Sequence, residues 1–195
     1  LKTETIFDLD KDIITRHLNT IQNIKSKTLH QEFIKILSNT ELGDGNISDD
    51  RIYFIIKKLY EIGEIEKAFN LIKKIKTNNF HNQENLNFFY LIELNYLYSS
   101  FKLAEVCELK SLLLEKSIIL PKNLLEKTDI FCLTLENKFA EARLLNSLLL
   151  ESELETDQNF QKLFNYMILN EQAGNYFDPL SNIKSKELIF LYSAM

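Results

Sequence analysis

A pattern of two helical segments joined by a short turn recurs along this chain at intervals of 38, 36 and 37 residues. Each copy has an apolar or aromatic residue directly after the turn, and further residues follow it at helical spacing. These anchor residues are Ile65, Leu103, Phe139 and, in a degenerate fourth copy that also contains Pro179, Tyr176. A period of this length is typical of one supersecondary unit repeated along a chain. The recurrence therefore predicts a row of similar helical hairpins.

Both halves of each copy show the spacing of an amphipathic helix. In the first copy, Ile52, Ile55 and Leu59 precede the turn, and Ala68 and Ile72 follow it. A hairpin of two such helices has more apolar surface than it can bury alone, so neighbouring hairpins must stack. We therefore predict an all-α fold, a right-handed α-solenoid of about five antiparallel helix–turn–helix repeats.

The composition agrees with helices joined by short loops. The 195 residues include only four glycines and two prolines. An all-β sandwich or barrel needs more residues that tolerate the backbone angles of its hairpin turns. Hydrophobic residues at 45% and charged residues at 26% are typical of a globular protein, so a disordered chain is disfavoured.

The repeats and their flanks predict one helical domain over residues 1–195. Within it we expect an N-terminal capping hairpin over 1–40, core repeats over 48–152, and a degenerate repeat with a C-terminal capping helix over 156–195. Four helix starts carry local signals: Thr28, Ser48 and either Thr156 or Asp157 are predicted N-caps, and Pro121 is predicted in a first turn.

One position in the second helix of each copy is occupied by a small residue. Ala68, Val106 and Ala142 fill it in the three clear copies. We expect the first helix of the same hairpin to approach most closely there, so a larger side chain would push the pair apart.

The turn and second helix of these copies resemble tetratricopeptide repeats. The resemblance is carried by Gly63 with Ala68 in YEIGEIEKAFNLI and by Asn137 with Ala142 in ENKFAEARLL, and it covers roughly residues 48–152. The chain departs from that family in two ways. The closing proline is missing, and the slot that the family fills with glycine in the first helix holds Ile56, Leu94 and Ile130.

A second similarity is to uncharacterised, envelope-associated bacterial proteins of helical-repeat type. It lies in NLLEKTDIFCLTLENKFAEARLLNSLLLESE and in the terminal SKELIFLYSAM. This similarity implies a recurring helix–turn–helix and a short closing helix, and it implies no activity.

The tetratricopeptide resemblance implies a non-catalytic scaffold or adaptor that binds a peptide or protein along its concave, first-helix face. Aromatic side chains offer a large contact area at little entropic cost. The groove positions implied by the resemblance are Tyr53, Lys57, Tyr60, Asn95, Tyr98, Lys127, Phe131 and Thr134.

Catalytic and metal-binding motifs do not emerge from the sequence. His17, His30 and His81 lack the spacing of a zinc site, and neither a GxSxG elbow nor a glycine-rich phosphate loop occurs. We therefore predict no enzyme activity, no metal and no cofactor. Cys107 and Cys132 form no CxxC or zinc-like cluster, so we interpret both as small buried apolar residues and expect no disulfide.

The charge balance bears on partners. A net charge of −5 would repel a phosphate backbone, so nucleic acid is not an expected partner. Residues 51–80 hold seven basic and three acidic residues, whereas residues 126–171 hold nine acidic and four basic residues. These segments are either solvated helix faces or the two ends of a polarised solenoid that orients an acidic partner near its first repeats. No window approaches the ~18 uninterrupted apolar residues of a membrane span.

Two alternative functions stay open. The solenoid would be the accessory superhelical domain of a longer, envelope-associated enzyme or, more weakly supported, an RNA-binding helical repeat. The chain begins at Leu1 without methionine or a leader pattern, which fits a mature form or a piece of a longer protein. Either the cytoplasm or the bacterial periplasm and envelope would suit it.

Overall fold

Helices dominate the part of the chain that the structure describes. The computed structural model describes residues 13, 16, 26–38, 49–75, 82–152, 156–169 and 188–195, and no strand occurs among them. The all-α prediction is confirmed for these residues. The helices are α1 (Lys27–Ser38), α2 (Asp49–Glu61), α3 (Ile65–Lys74), α4 (Gln83–Ser99), α5 (Leu103–Glu115), α6 (Leu124–Leu135), α7 (Phe139–Ser152), α8 (Gln158–Leu169) and α9 (Ile189–Ala194), and a 3₁₀ turn, Pro121–Asn123, precedes α6.

Contacts within the chain group it into two units, Leu1–Ile92 and Glu93–Met195, and the boundary falls within α4. In the first unit, α2 packs against α3 and α1 against α2. Their apolar faces bury a common core with the first half of α4. That core comprises Leu37, Ile52, Ile55, Ile56, Leu59, Ala68, Leu71, Ile72, Phe89 and Ile92.

The second unit is organised around α6. This helix packs against its sequence neighbours α5 and α7 and also against α8, while α9 packs against α8. Eight of its twelve residues are buried, which explains why LLEKTDIFCLTL has apolar residues on more than one face. The most extensive packing of α6 is thus with the helices nearest to it in sequence.

Three turns between paired helices share one backbone geometry, which also occurs at Ser117, after α5. One residue in each turn has a left-handed backbone conformation. These residues are Gly63, Phe101 and Asn137, with φ of 87°, 53° and 59°. In the first turn, the Gly63 N–H donates to Tyr60 O at 3.1 Å and the Glu64 N–H to Leu59 O at 2.9 Å. The two corresponding bonds in each of the other turns are 2.9 to 3.1 Å long. This pair of bonds is the Schellman motif, which satisfies the last carbonyl groups of the first helix.

The predicted anchors Ile65, Leu103 and Phe139 are the first residues of α3, α5 and α7. Each follows its left-handed residue by two positions, so the sequence recurrence corresponds to a recurrence in structure. The small residues predicted for close packing, Ala68, Val106 and Ala142, are all fully buried.

Of the predicted helix starts, Ser48 lies outside the described residues, and of the two caps offered for the later helix Asp157 serves. The Asp157 carboxylate accepts the Phe160 N–H at 3.1 Å and caps α8, and Pro121 is the first residue of the 3₁₀ turn before α6. The prediction for Thr28 is wrong, because α1 already begins at Lys27 and the Ser26 hydroxyl accepts the Leu29 N–H at 3.4 Å. A serine two residues earlier serves as the cap equally well.

Parts of three predicted segments lie outside the described residues. Of the first helix of the N-terminal capping hairpin, only Ile13 and Arg16 are described, and both are helical. The degenerate copy around Tyr176 and Pro179 is not among the described residues, nor is the start of the C-terminal helix before Leu188.

Candidate functional site

Three of the predicted groove residues lie on α2 in the first unit. Tyr53, Lys57 and Tyr60 are half-buried. The Tyr53 ring makes an edge contact with Phe88 at a centroid distance of 5.4 Å, and the Lys57 ammonium lies 5.8 Å from the centre of the Tyr53 ring. Tyr60 also meets Phe88 edge-on, at 5.8 Å. These side chains therefore form one aromatic cluster on α2 and α4.

The other five predicted groove residues lie in the second unit and are buried: Asn95, Tyr98, Lys127, Phe131 and Thr134. Tyr98 donates to the Thr128 hydroxyl at 2.9 Å, and burial raises the pKa of its phenol despite that hydrogen bond. The ring of Tyr98 lies 6.0 Å from that of Phe131. A binding role for these five side chains stays a prediction, and it would require them to become exposed.

Lys127 takes part in a buried polar network. Its side chain is 2% exposed, and its ammonium donates to Asp157 Oδ2 at 2.9 Å and to the Lys122 carbonyl at 3.1 Å. The Tyr192 hydroxyl donates to the same carboxylate oxygen. A charge this deeply buried needs a paired carboxylate and further hydrogen bonds to be tolerated. The network therefore joins α6, the cap of α8 and α9.

The environment of Asp157 lowers the pKa of its carboxyl group. Burial acts in the opposite direction and raises it, but the hydrogen bonds from Tyr192, Lys127 and the Phe160 N–H together outweigh burial. The carboxylate is thus charged throughout the neutral and mildly acidic range.

An apolar groove of about 330 Å³ opens on the second unit, between α5, α6 and α7. Two of its leucines, Leu114 and Leu148, are 50% and 51% exposed. Most of the lining is aliphatic, which is the usual character of a site that takes apolar side chains. The residues that line the groove are Leu114, Glu126, Asp129, Ile130, Leu145, Leu148, Leu149 and Ser152.

Two carboxylates interrupt this aliphatic lining, and no basic residue is part of it. Asp129 accepts a hydrogen bond from the Lys110 ammonium at 2.8 Å, across the interface of α5 and α6. Glu126 is exposed, in the first turn of α6. The groove therefore combines an apolar floor with one solvated negative charge.

A disulfide between Cys107 and Cys132 joins α5 to α6, so the interpretation of these cysteines as separate apolar residues is wrong. The two residues are 25 positions apart and lie on successive helices that pack against each other. No CxxC motif marks such a pair, because the proximity comes from helix packing and not from local spacing. One turn further along, the Lys110–Asp129 pair links the same two helices.

The sequence did contain a signal for the groove. The segment FAEARLLNSLLLES places leucines at 144, 145, 148, 149 and 150, which is more apolar surface than one buried stripe requires. Part of the excess appears as Leu148, which is 51% exposed and lines the groove, whereas Leu144, 61% exposed, lies outside it. A groove lined by residues from three helices cannot be recognised from one helix alone.

Among the described residues, no helix combines the length and the hydropathy of a membrane span, and no three histidine, cysteine, aspartate or glutamate side chains cluster as metal ligands would. Comparison of the chain with models of protein families, with curated proteins and with solved structures gave no match.

Proposed function

We propose that this chain is a non-catalytic protein-interaction scaffold that captures a segment of another protein. The observation that carries the proposal is the groove between α5, α6 and α7, where exposed leucines surround an aliphatic cavity of about 330 Å³. Concave apolar surfaces of this kind are favoured for binding because filling them removes apolar area from water.

We also propose that the helices form tetratricopeptide-like hairpins of a right-handed solenoid with about five repeats. Support comes from the three turns at Gly63, Phe101 and Asn137, which share one hydrogen-bonding pattern. Further support is that α6 packs against α7, its hairpin partner, and also against α5 and α8. Helices of such repeats contact chiefly their near neighbours in sequence.

The disulfide supports a role in an oxidising compartment. Disulfides persist in secreted, periplasmic and surface proteins, whereas cytosolic thiols are kept reduced. The Cys107–Cys132 bond therefore favours the envelope-associated setting over the cytoplasmic one.

Selection of peptides on the whole chain tests the scaffold proposal. A phage-displayed library of random peptides is selected on the immobilised oxidised protein, and enriched clones are tested on two variants. Leu148→Asp places a charge in the groove, whereas Leu144→Asp changes an exposed leucine on the same helix that does not line the groove.

We expect clones that bind the wild type and Leu144→Asp but lose at least tenfold in affinity for Leu148→Asp. Burying an unpaired carboxylate at the contact would cost more than the ~1.4 kcal/mol that this factor represents. If no clone distinguishes the two variants, the groove is not a binding site and the proposal fails.

A further inference from the structure

The backbone around the groove restricts the conformation of what it can bind. The lining residues belong to three α-helices, whose main-chain N–H and C=O groups bond to each other along each helix. An extended peptide would therefore find no main-chain partners on the aliphatic floor. Its own N–H and C=O groups would be buried without hydrogen bonds, which is costly.

An α-helix avoids this cost, because its backbone groups are satisfied internally. Amphipathic helices bind other proteins by placing apolar residues at i, i+3, i+4 and i+7 into a hydrophobic groove. Polyproline segments are another common kind of ligand that does not pair its main chain with a sheet. They bind to grooves lined by aromatic residues. This groove has no aromatic residue in its lining.

The charge of the groove lining indicates which residues should lie beside the apolar stripe of a bound helix. Asp129 is paired with Lys110, whereas Glu126 is exposed and belongs to a lining without basic residues. In sequence, the stretch 126–171, which contains all of the lining except Leu114, holds nine acidic against four basic residues. A basic side chain beside the apolar stripe would therefore be attracted, and an acidic one repelled.

We infer that the groove binds an amphipathic α-helix of a partner protein, with an aliphatic stripe and lysine or arginine residues along its edge. The stripe packs on Leu114, Ile130 and Leu148, and a flanking ammonium or guanidinium pairs with Glu126. This inference rests on the proposed function, since it names the partner's chemistry at the same site.

Three synthetic peptides of about 18 residues, each spanning roughly 27 Å as a helix, provide the test. They share one leucine stripe and differ only in the flanking residues, which are lysine, glutamine or glutamate. Fluorescence anisotropy with the oxidised full chain measures their affinities at roughly 50 mM and roughly 300 mM salt.

At low salt, the lysine peptide should bind roughly three- to fivefold more tightly than the glutamine peptide, as for one solvated ion pair. The advantage should shrink at high salt. Glu126→Gln should abolish it. Glu141→Gln should leave it intact, because Glu141 is likewise exposed and third in its helix, α7, but does not line the groove. Leu148→Asp should weaken all three peptides, and Leu144→Asp none.

The possible failures are distinguishable. If all three peptides bind with equal affinity and all are weakened by Leu148→Asp, the inference of basic flanking residues is wrong, while the scaffold proposal stands. A lysine advantage that survives Glu126→Gln would overturn it as well. If none of the helical peptides binds, but the library yields Leu148-dependent extended peptides, the helix inference fails alone. If neither source yields a Leu148-dependent ligand, both proposals fall.

Discussion

The Lys127 ammonium lies 2.9 Å from Asp157 Oδ2, so an ion pair connects α6 with the residue that caps α8. Lys127 is 2% exposed and Asp157 16%. The carboxylate also accepts hydrogen bonds from Tyr192 on α9 and from the Phe160 N–H. One aspartate thus stabilises a helix start, a buried cation and the contact of the C-terminal helix.

Removing the cation should destabilise the second unit. Lys127→Met keeps most of the side-chain length but leaves the Asp157 carboxylate without its charge partner. Breaking a buried pair from one side costs about 3 kcal/mol. Urea unfolding followed by circular dichroism should show this loss, and the double variant Lys127→Met/Asp157→Asn should recover part of it.

The matched control is Lys138→Met. Lys138 pairs with Glu136 at 2.7 Å, but both side chains are about half exposed. Exposed pairs contribute little, so the urea midpoint should not change measurably. A comparable loss in both variants would show that the Lys127 network has no special importance.

The stabilisation by Asp157 should depend on pH. The pKa of its carboxyl group is lowered below the ordinary value of 3.8, so folding favours the charged form. The contribution is therefore fully present above the unfolded-state pKa and is lost as the pH falls through the folded-state pKa. The difference in unfolding free energy between wild type and Asp157→Asn should be constant from pH 7 to about pH 5 and should shrink below about pH 4. A difference that grows on acidification would contradict this assignment.

What the sequence could predict here is local. The turns at Gly63, Phe101 and Asn137 involve hydrogen bonds over three to five residues, so their recurrence is visible as a pattern, and the anchors after them mark the helix starts. The burial of Ala142 follows from the same register.

The rest depends on which helix covers which face. The tetratricopeptide resemblance implied groove positions at Tyr98 and Lys127 but could not show that neighbouring helices bury both side chains. The Cys107–Cys132 bond depends on how α5 packs against α6, and the groove depends on three helices at once. Tertiary packing sets these relationships, and one sequence does not specify them.

Reduction of the disulfide should lower stability. The bond closes a loop of 25 residues. Cross-linking a loop of this length lowers the conformational entropy of the unfolded chain and so stabilises the folded protein by about 3 kcal/mol. The thermal midpoint should fall by roughly 6 to 12 °C on addition of a phosphine reductant. The variant Cys107→Ser/Cys132→Ser should melt at the lower temperature and be insensitive to reductant. A wild type that melts at one temperature with and without reductant would contradict the cross-link.

Enlarging the small position on α7 should strain its packing. Ala142 is fully buried on a helix that packs against α6, so Ala142→Leu should cost about 1 to 3 kcal/mol. Ala140, two residues earlier on the same helix, is exposed, and Ala140→Leu should be nearly neutral. Urea midpoints of the two variants give the comparison. Equal midpoints would show that α7 has room at this position.

The shared turn geometry predicts opposite effects for two substitutions at equivalent positions. Gly63 has φ of 87°, and a Cβ added there would meet nothing within 4 Å. Gly63→Ala should therefore lower stability only because alanine is strained in the left-handed backbone conformation. The expected cost is about 1 kcal/mol.

Phe101 occupies the same place in the next turn, with φ of 53°, and its side chain is 68% exposed. Little packing is lost when that side chain is removed, and glycine adopts the left-handed conformation without the Cβ penalty. Phe101→Gly should therefore stabilise the protein by about 0.5 kcal/mol, although glycine usually destabilises. Urea unfolding of both variants tests the pair. A loss of stability in Phe101→Gly would mean that the aromatic ring contributes more than the strained backbone costs, and that the two turns are not energetically equivalent.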